Sequence, residues 1–128
     1  MAEPTNVAPI HNRRLQPRYP LPADAGATLT FSYPFPHGPR VQASLRDISL
    51  SGLSLVLPPE LSRVQVGDIV NGIDARVASK SFRGDLLVMH VTSSSGATVC
   101  GGLFYPEGDE DLITIRLVLR TLESAAAR

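Results

Sequence analysis

The chain has almost no cysteine, no long apolar run and no excess of either charge, and each absence removes a class of protein. A single cysteine, Cys100, stands among 128 residues, so no intrachain disulfide forms. It lies in an apolar, strand-like run and reads as a small core residue. No apolar stretch reaches the roughly 20 residues of a membrane helix. The first residues lack the charged-then-apolar layout of a secretory leader, so a cytoplasmic protein without membrane insertion is expected. Formal net charge is +0. A large nucleic-acid surface normally carries a basic excess, so no DNA or RNA partner is expected.

The usual catalytic signatures are missing as well. There is no G-x-S-x-G elbow, no phosphate-binding P-loop and no dinucleotide fingerprint. Ser51-Gly52 and Ser93 to Gly96 have no neighbouring histidine to act as base. His11, His37, His90 and Cys100 fall on different elements without metal-ligand spacing. His90, inside an apolar run, reads as a core histidine. Asp109, Glu110 and Asp111 are adjacent in what reads as the first turn of a helix, where their side chains splay apart. They fit a helix start, with Asp109 as its cap, better than a metal cluster. The expectation is no enzyme, no metal, no cofactor.

What remains has the composition of one globular domain with one modest core, at 43% hydrophobic and 19% charged residues. Residues 1–12 read as a flexible tail. Residues 13–22 contain Pro17, Pro20 and Pro22, which exclude a helix and favour an extended, mobile arm. Leu29, Phe31 and Tyr33 alternate as a first strand. Val41, Ala43 and Leu45 predict a second, and Leu53, Leu55 and Leu57 a third. Pro59 to Val64 reads as a helical turn. Ile69, Ile73, Ala75 and Val77 share one parity in a fourth strand, with a bend or bulge at Asn71-Gly72. Ser81 to Gly84 is a turn candidate. Leu86 to Val91 reads as a strand covered on both faces, and Ser93 to Gly96 as a hairpin loop.

Ala97 to Tyr105 is the last strand. Gly101 and Gly102 within it mark a bend where another backbone or a ligand comes close. Leu112, Ile115, Leu119 and Leu122, with Val118 beside them, repeat at helical spacing over residues 109–124. Six short strands separated by turn signals, then one helix, describe a closed barrel or a sandwich.

Two polar segments stand out against this frame. Arg13, Arg14 and Arg18 crowd the arm, with Arg14 and Arg18 spaced R-x-x-x-R. Asp47-x-Ser49-x-x-Gly52 joins the second and third strands. Taken singly, the first fits a solvated basic tail and the second a polar β-turn. Guanidinium is planar and permanently charged, so the arginines leave room for a local anion site.

In this order and at this distance, the two segments resemble the PilZ domain of bacterial cyclic di-GMP receptors. Arg13 to Pro20, Gly102-Leu103-Phe104 and Leu112 to Glu123 are similar to that family's opening segment, closing strand and terminal helix. The resemblance covers residues 12–125 and implies a six-stranded antiparallel β-barrel at 27–105, flanked by a C-terminal α-helix. It implies a non-catalytic receptor whose ligand is cyclic di-GMP. Arg14 and Arg18 would contact phosphates and guanines, Asp47 and Ser49 a guanine, and Gly52 would keep the turn open. Arg13 occupies the position that influences whether one nucleotide or a stacked pair binds. The resemblance also implies signalling to a downstream protein in motility, pilus assembly or exopolysaccharide output, from a monomer or weak homodimer. The alternative is a protein-interaction module of the same fold that binds no nucleotide.

Overall fold

The computed structural model describes residues 17–21, 26–34, 37–61, 63–94 and 96–126. The tail at 1–12, Arg13 and Arg14 lie outside the described residues. A two-residue strand β1 (Tyr19–Pro20) is followed by β2 (Thr28–Ser32), β3 (Arg40–Ile48), β4 (Gly52–Leu57), β5 (Ile69–Val77), β6 (Lys80–Ser94) and β7 (Ala97–Pro106). A 3-10 turn at Pro59–Leu61 separates β4 from β5, and helix α1 (Asp109–Ala126) ends the fold. Among the described residues, β3-β2-β5-β6-β7-β4 pair antiparallel in that order, and β3 pairs back onto β4. The result is a closed six-stranded antiparallel barrel with a C-terminal helix.

The alternating apolar positions meet inside this ring. Leu29, Phe31, Ala43, Leu45, Leu53, Leu55, Ile73, Ala75, Leu86, Val88 and Phe104 are buried together, with Ile115 and Val118 of α1 closing onto the same core. Phe82 meets Phe104 edge to face, with centroids 5.6 Å apart. Cys100 is fully buried, as expected, and desolvation pushes its thiol up to about 11.

Three bulges break the simple alternation, and each changes which side chains face out. In β5 the register shifts between Val70 and Ile73, with Gly72 at φ +67°. The bulge at Asn71-Gly72 is therefore where the sequence puts it, but it reverses the parity of Ile69. Val70 is 2% exposed and takes the inward place, while Ile69 is 51% exposed. In β3 the shift falls between Leu45 and Asp47. In β6 it falls between Val88 and His90.

Other boundaries differ from the sequence reading for identifiable reasons. The turn expected at Ser81 to Gly84 lies at Ala78-Ser79 instead, where Ala78 takes φ 56° and Val77 pairs with Lys80. Alanine is an uncommon residue at positive φ, so the position carries no turn signal. Gly84 serves packing, since a Cβ there would press on the Phe104 ring. The fifth strand is accordingly longer than Leu86 to Val91. At the start of α1, Gly108 rather than Asp109 is the cap. Its carbonyl accepts from the Asp111 and Leu112 amides, and Asp111 Oδ2 accepts from the Gly108 amide at 3.0 Å. Asp111 Oδ1 also accepts from the Arg83 amide at 2.8 Å, which ties the helix start to β6.

The β4 face that closes the ring sets the stability of the barrel. Leu55→Ala is expected to lower unfolding free energy by about 2–5 kcal/mol, because it removes buried volume the surrounding strands cannot refill. Urea denaturation followed by circular dichroism checks this, and a loss below about 1 kcal/mol contradicts the assigned burial.

Candidate functional site

The local chain path brings the two polar segments together. Tyr19 pairs with Ile48 and Pro20 with Asp47, and the Leu21 amide donates to the Arg46 carbonyl at 2.9 Å. This corrects the expectation that the prolines keep the whole arm free of secondary structure. Pro20 has no N–H to give, but an edge strand facing solvent on one side tolerates that. The arm is therefore pinned from Tyr19 onward, five residues downstream of where Arg14 stands in the sequence.

The bulge in β3 does the next part of the work. Leu45 faces the core, so unbroken alternation would send Asp47 inward as well. The extra residue at Arg46 resets the count, so that Ile48 is buried and Asp47 turns toward the outer surface. There Arg18 Nη1 lies 3.5 Å from Asp47 Oδ1, with both side chains partly exposed. A contact this long and this wet contributes at most about 1 kcal/mol. Each partner can exchange the other for a ligand group at little cost.

Ser49 and Gly52 close the adjoining turn. The Gly52 amide donates to Ser49 Oγ at 3.2 Å, the Ser49 hydroxyl donates to the Gly52 carbonyl at 3.3 Å, and the Ser49 amide donates to that same carbonyl at 2.8 Å. The turn is also held to β7, because the Phe104 amide donates to Ser51 at 2.9 Å. Gly52 is required by space rather than by positive φ. A Cβ there would run into the Gly102 carbonyl of β7.

An outer row crosses three more strands from Asp47. Asp47 pairs with Ser54, Ser54 with Gly101, and Gly101 with His90. The bulge between Val88 and His90 turns His90 out of the barrel and onto Gly101, where a Cβ would meet the imidazole. His90 is thus partly exposed, not a core residue. A Cβ on Gly101 would also strike Ser54, so the glycine lets Ser54 and His90 pack closely on the outer face of the sheet. Ser54 is 1% exposed, with a hydroxyl that has no hydrogen-bond partner among the described residues. The glycine pair flagged the close approach in the sequence. Ser54 and His90 carried no signal of their own, because the bulge that places them depends on cross-strand register.

Behind the arm lies a cleft of about 260 Å³, lined by Pro17, Tyr19, Leu50 and, on α1, Arg116, Leu119, Arg120 and Glu123. Arg18 thus faces Asp47 while its neighbours Pro17 and Tyr19 face the helix. A larger cleft of about 510 Å³, between Lys80 and the C-terminal half of α1, lies away from both motifs. No group of His, Cys, Asp and Glu side chains suited to a metal ion occurs among the described residues. No helix among them is long and apolar enough to cross a membrane. The site therefore offers one planar cation beside one partly exposed carboxylate, groups able to bond an anionic, hydrogen-bonding ligand.

This barrel, with its polar arm and bulged strand, belongs to a known class of fold. No family model matches the sequence, and no curated protein matches it. Solved structures do. The c-di-GMP complex of K. pneumonia MrkH superposes with a TM-score of 0.78 at 22% identity, covering 91% of this chain and 54% of that one. The PilZ domain of Escherichia coli YcgR, also solved with c-di-GMP, gives 0.72 at 15% identity, covering 89% and 94%. The Bacillus subtilis inhibitor of motility MotI gives 0.65 at 16% identity, covering 88% and 52%. The fold is the PilZ fold. The chain spans about half the length of MrkH and nearly all of the isolated YcgR domain.

The turn geometry separates Gly52, packed against β7, from Asp47, which faces outward. Gly52→Ala is expected to destabilise the barrel by about 1–3 kcal/mol, as overpacking against β7 does. Asp47→Ala is expected to cost no more than about 1 kcal/mol. Thermal and urea denaturation of the two variants check the order, and a larger loss for Asp47→Ala assigns that carboxylate to the scaffold.

Proposed function

We propose that the protein is a non-catalytic receptor for cyclic di-GMP, in which the arginine arm orders on the ligand and signals to a partner protein. The observation that carries this reading is the pairing of β1 with the bulged end of β3, which sets Arg18 beside the outward-facing Asp47. The c-di-GMP named for the MrkH and YcgR structures supports the ligand.

The chemistry follows from the residues. The ligand offers two phosphates and two guanines. Arg18 exchanges its weak contact with Asp47 for a phosphate or a guanine O6/N7 edge, and Asp47 then accepts from guanine N1 and N2. Arg14 stands four residues before Arg18, within about 14 Å of it along an extended chain, close enough to contact the same ligand. Ser49 contributes a second lone pair while its turn stays closed on Gly52. Arg13 extends the cationic surface toward a second nucleotide. Like charges on one short arm repel, and the two phosphates offset that repulsion. The pinned base makes the arm a lever, with Arg18 on the ligand side and Pro17 and Tyr19 on the helix side. A change in the arm therefore alters the cleft against α1, which is the surface offered to a partner.

Isothermal titration is expected to show cyclic di-GMP binding, weakened about ten- to a hundred-fold by Arg14→Ala or Arg18→Ala, the range for losing a charge-assisted contact. No heat in the wild-type protein leaves the non-binding interaction module as the reading. Unchanged affinity in both variants removes the assigned site, and the stoichiometry decides between one nucleotide and a stacked pair.

Amide hydrogen exchange tests the lever separately. Protection is expected to rise on ligand addition across residues 12–18, while the amide of Leu21, already bonded to Arg46, changes little. Equal exchange with and without ligand along the arm refutes the ordering step.

A further inference from the structure

The face of α1 that points away from the barrel is built to meet itself. Ile115 and Val118 fix the inward side of the helix. On the opposite side, Glu110, Ile113, Leu117 and Arg120 fall in one stripe at the three- and four-residue spacing of a helix surface. Ile113 is 56% and Leu117 45% exposed, although both are large and apolar. Glu110 and Arg120 are exposed and form no ion pair among the described residues. The threonines beside the stripe are already satisfied within the helix, Thr114 donating to the Glu110 carbonyl and Thr121 to that of Leu117.

The order along the stripe is acid, apolar, apolar, base. Reversing one copy against another places Glu110 opposite Arg120, Ile113 opposite Leu117, Leu117 opposite Ile113 and Arg120 opposite Glu110. All four pairs share one two-fold axis at the level of Ile115, so a single register satisfies every position. A parallel arrangement would instead set like charges against each other. The stripe is thus self-complementary in both shape and charge, which is the requirement for a two-fold interface between identical chains.

We propose that the protein forms a two-fold homodimer through antiparallel packing of α1 on α1, with Ile113 and Leu117 as the apolar centre and two Glu110–Arg120 pairs at its ends. The helix has 18 residues and is about 27 Å long. One helix pair of that length buries less than the roughly 1,200–2,000 Å² of a stable interface, so the dimer dissociates on dilution. The contact leaves Arg18 and Asp47 uncovered, while Arg120 also lines the cleft behind the arm.

Sedimentation equilibrium of the full chain over a concentration series to millimolar tests this. Wild type is expected to show a reversible monomer–dimer equilibrium. Ile113→Asp, at an exposed position, is expected to weaken it by about ten-fold or more while the far-ultraviolet spectrum stays native. Glu110→Arg and Arg120→Glu alone each set like charges together and weaken it comparably. The double variant Glu110→Arg/Arg120→Glu restores association to within about three-fold of wild type, because the swapped pairs are again opposite in sign. A wild type that stays monomeric throughout overturns the proposal. So does a dimer that ignores Ile113→Asp, or single reversals that the double variant does not rescue.

Discussion

Pairing of β3 with β4 closes the barrel, and the bulge inside that pairing decides which way Asp47 faces. Closure removes the free edges and lets Leu45, Leu53, Leu55 and Leu57 share one core. The residue inserted at Arg46 interrupts the alternation once, so Ile48 stays in the core while Asp47 leaves it. Without the bulge, the strand would have to bury a carboxylate or expose an isoleucine. The same strand end receives β1, so the arm and the carboxylate are positioned by one set of backbone hydrogen bonds.

Glycine supports this arrangement through space rather than through backbone freedom. A Cβ on Gly52 would collide with the Gly102 carbonyl of β7, and one on Gly102 with the Leu87 carbonyl of β6. At Gly101, beside them, a Cβ would strike both His90 and Ser54. The Arg18–Asp47 contact at the end of this outer row is long and partly exposed.

Helix α1 has two independent surfaces. Its inner side completes the core through Ile115 and Val118, and its flank meets the arm through Leu119, Arg116 and Arg120. The outer stripe shares Arg120 with that flank. Anchoring by Asp111 to both Gly108 and the Arg83 amide fixes the rotation of the helix on the barrel. That rotation sets the direction of both outer surfaces at once.

The strands, the helix and the two polar segments were legible from residue types alone. Alternation of Leu53, Leu55 and Leu57, helical spacing from Leu112 to Leu122, and the order of Arg14, Arg18, Asp47, Ser49 and Gly52 are local properties of the chain. They also carried the fold, since the barrel with its flanking helix is the one the motifs implied. Tertiary structure decided what depends on register. Asp47 faces outward, His90 leaves the core and Ile69 changes sides because single inserted residues shift the count between neighbouring strands. Ala78 turns the chain and Gly84 does not, because the pairing of β5 with β6 selects the turn and the Phe104 ring occupies the space a side chain at residue 84 would need. Local pattern sets which residues form each element. Only the neighbouring strand fixes which face each of them presents.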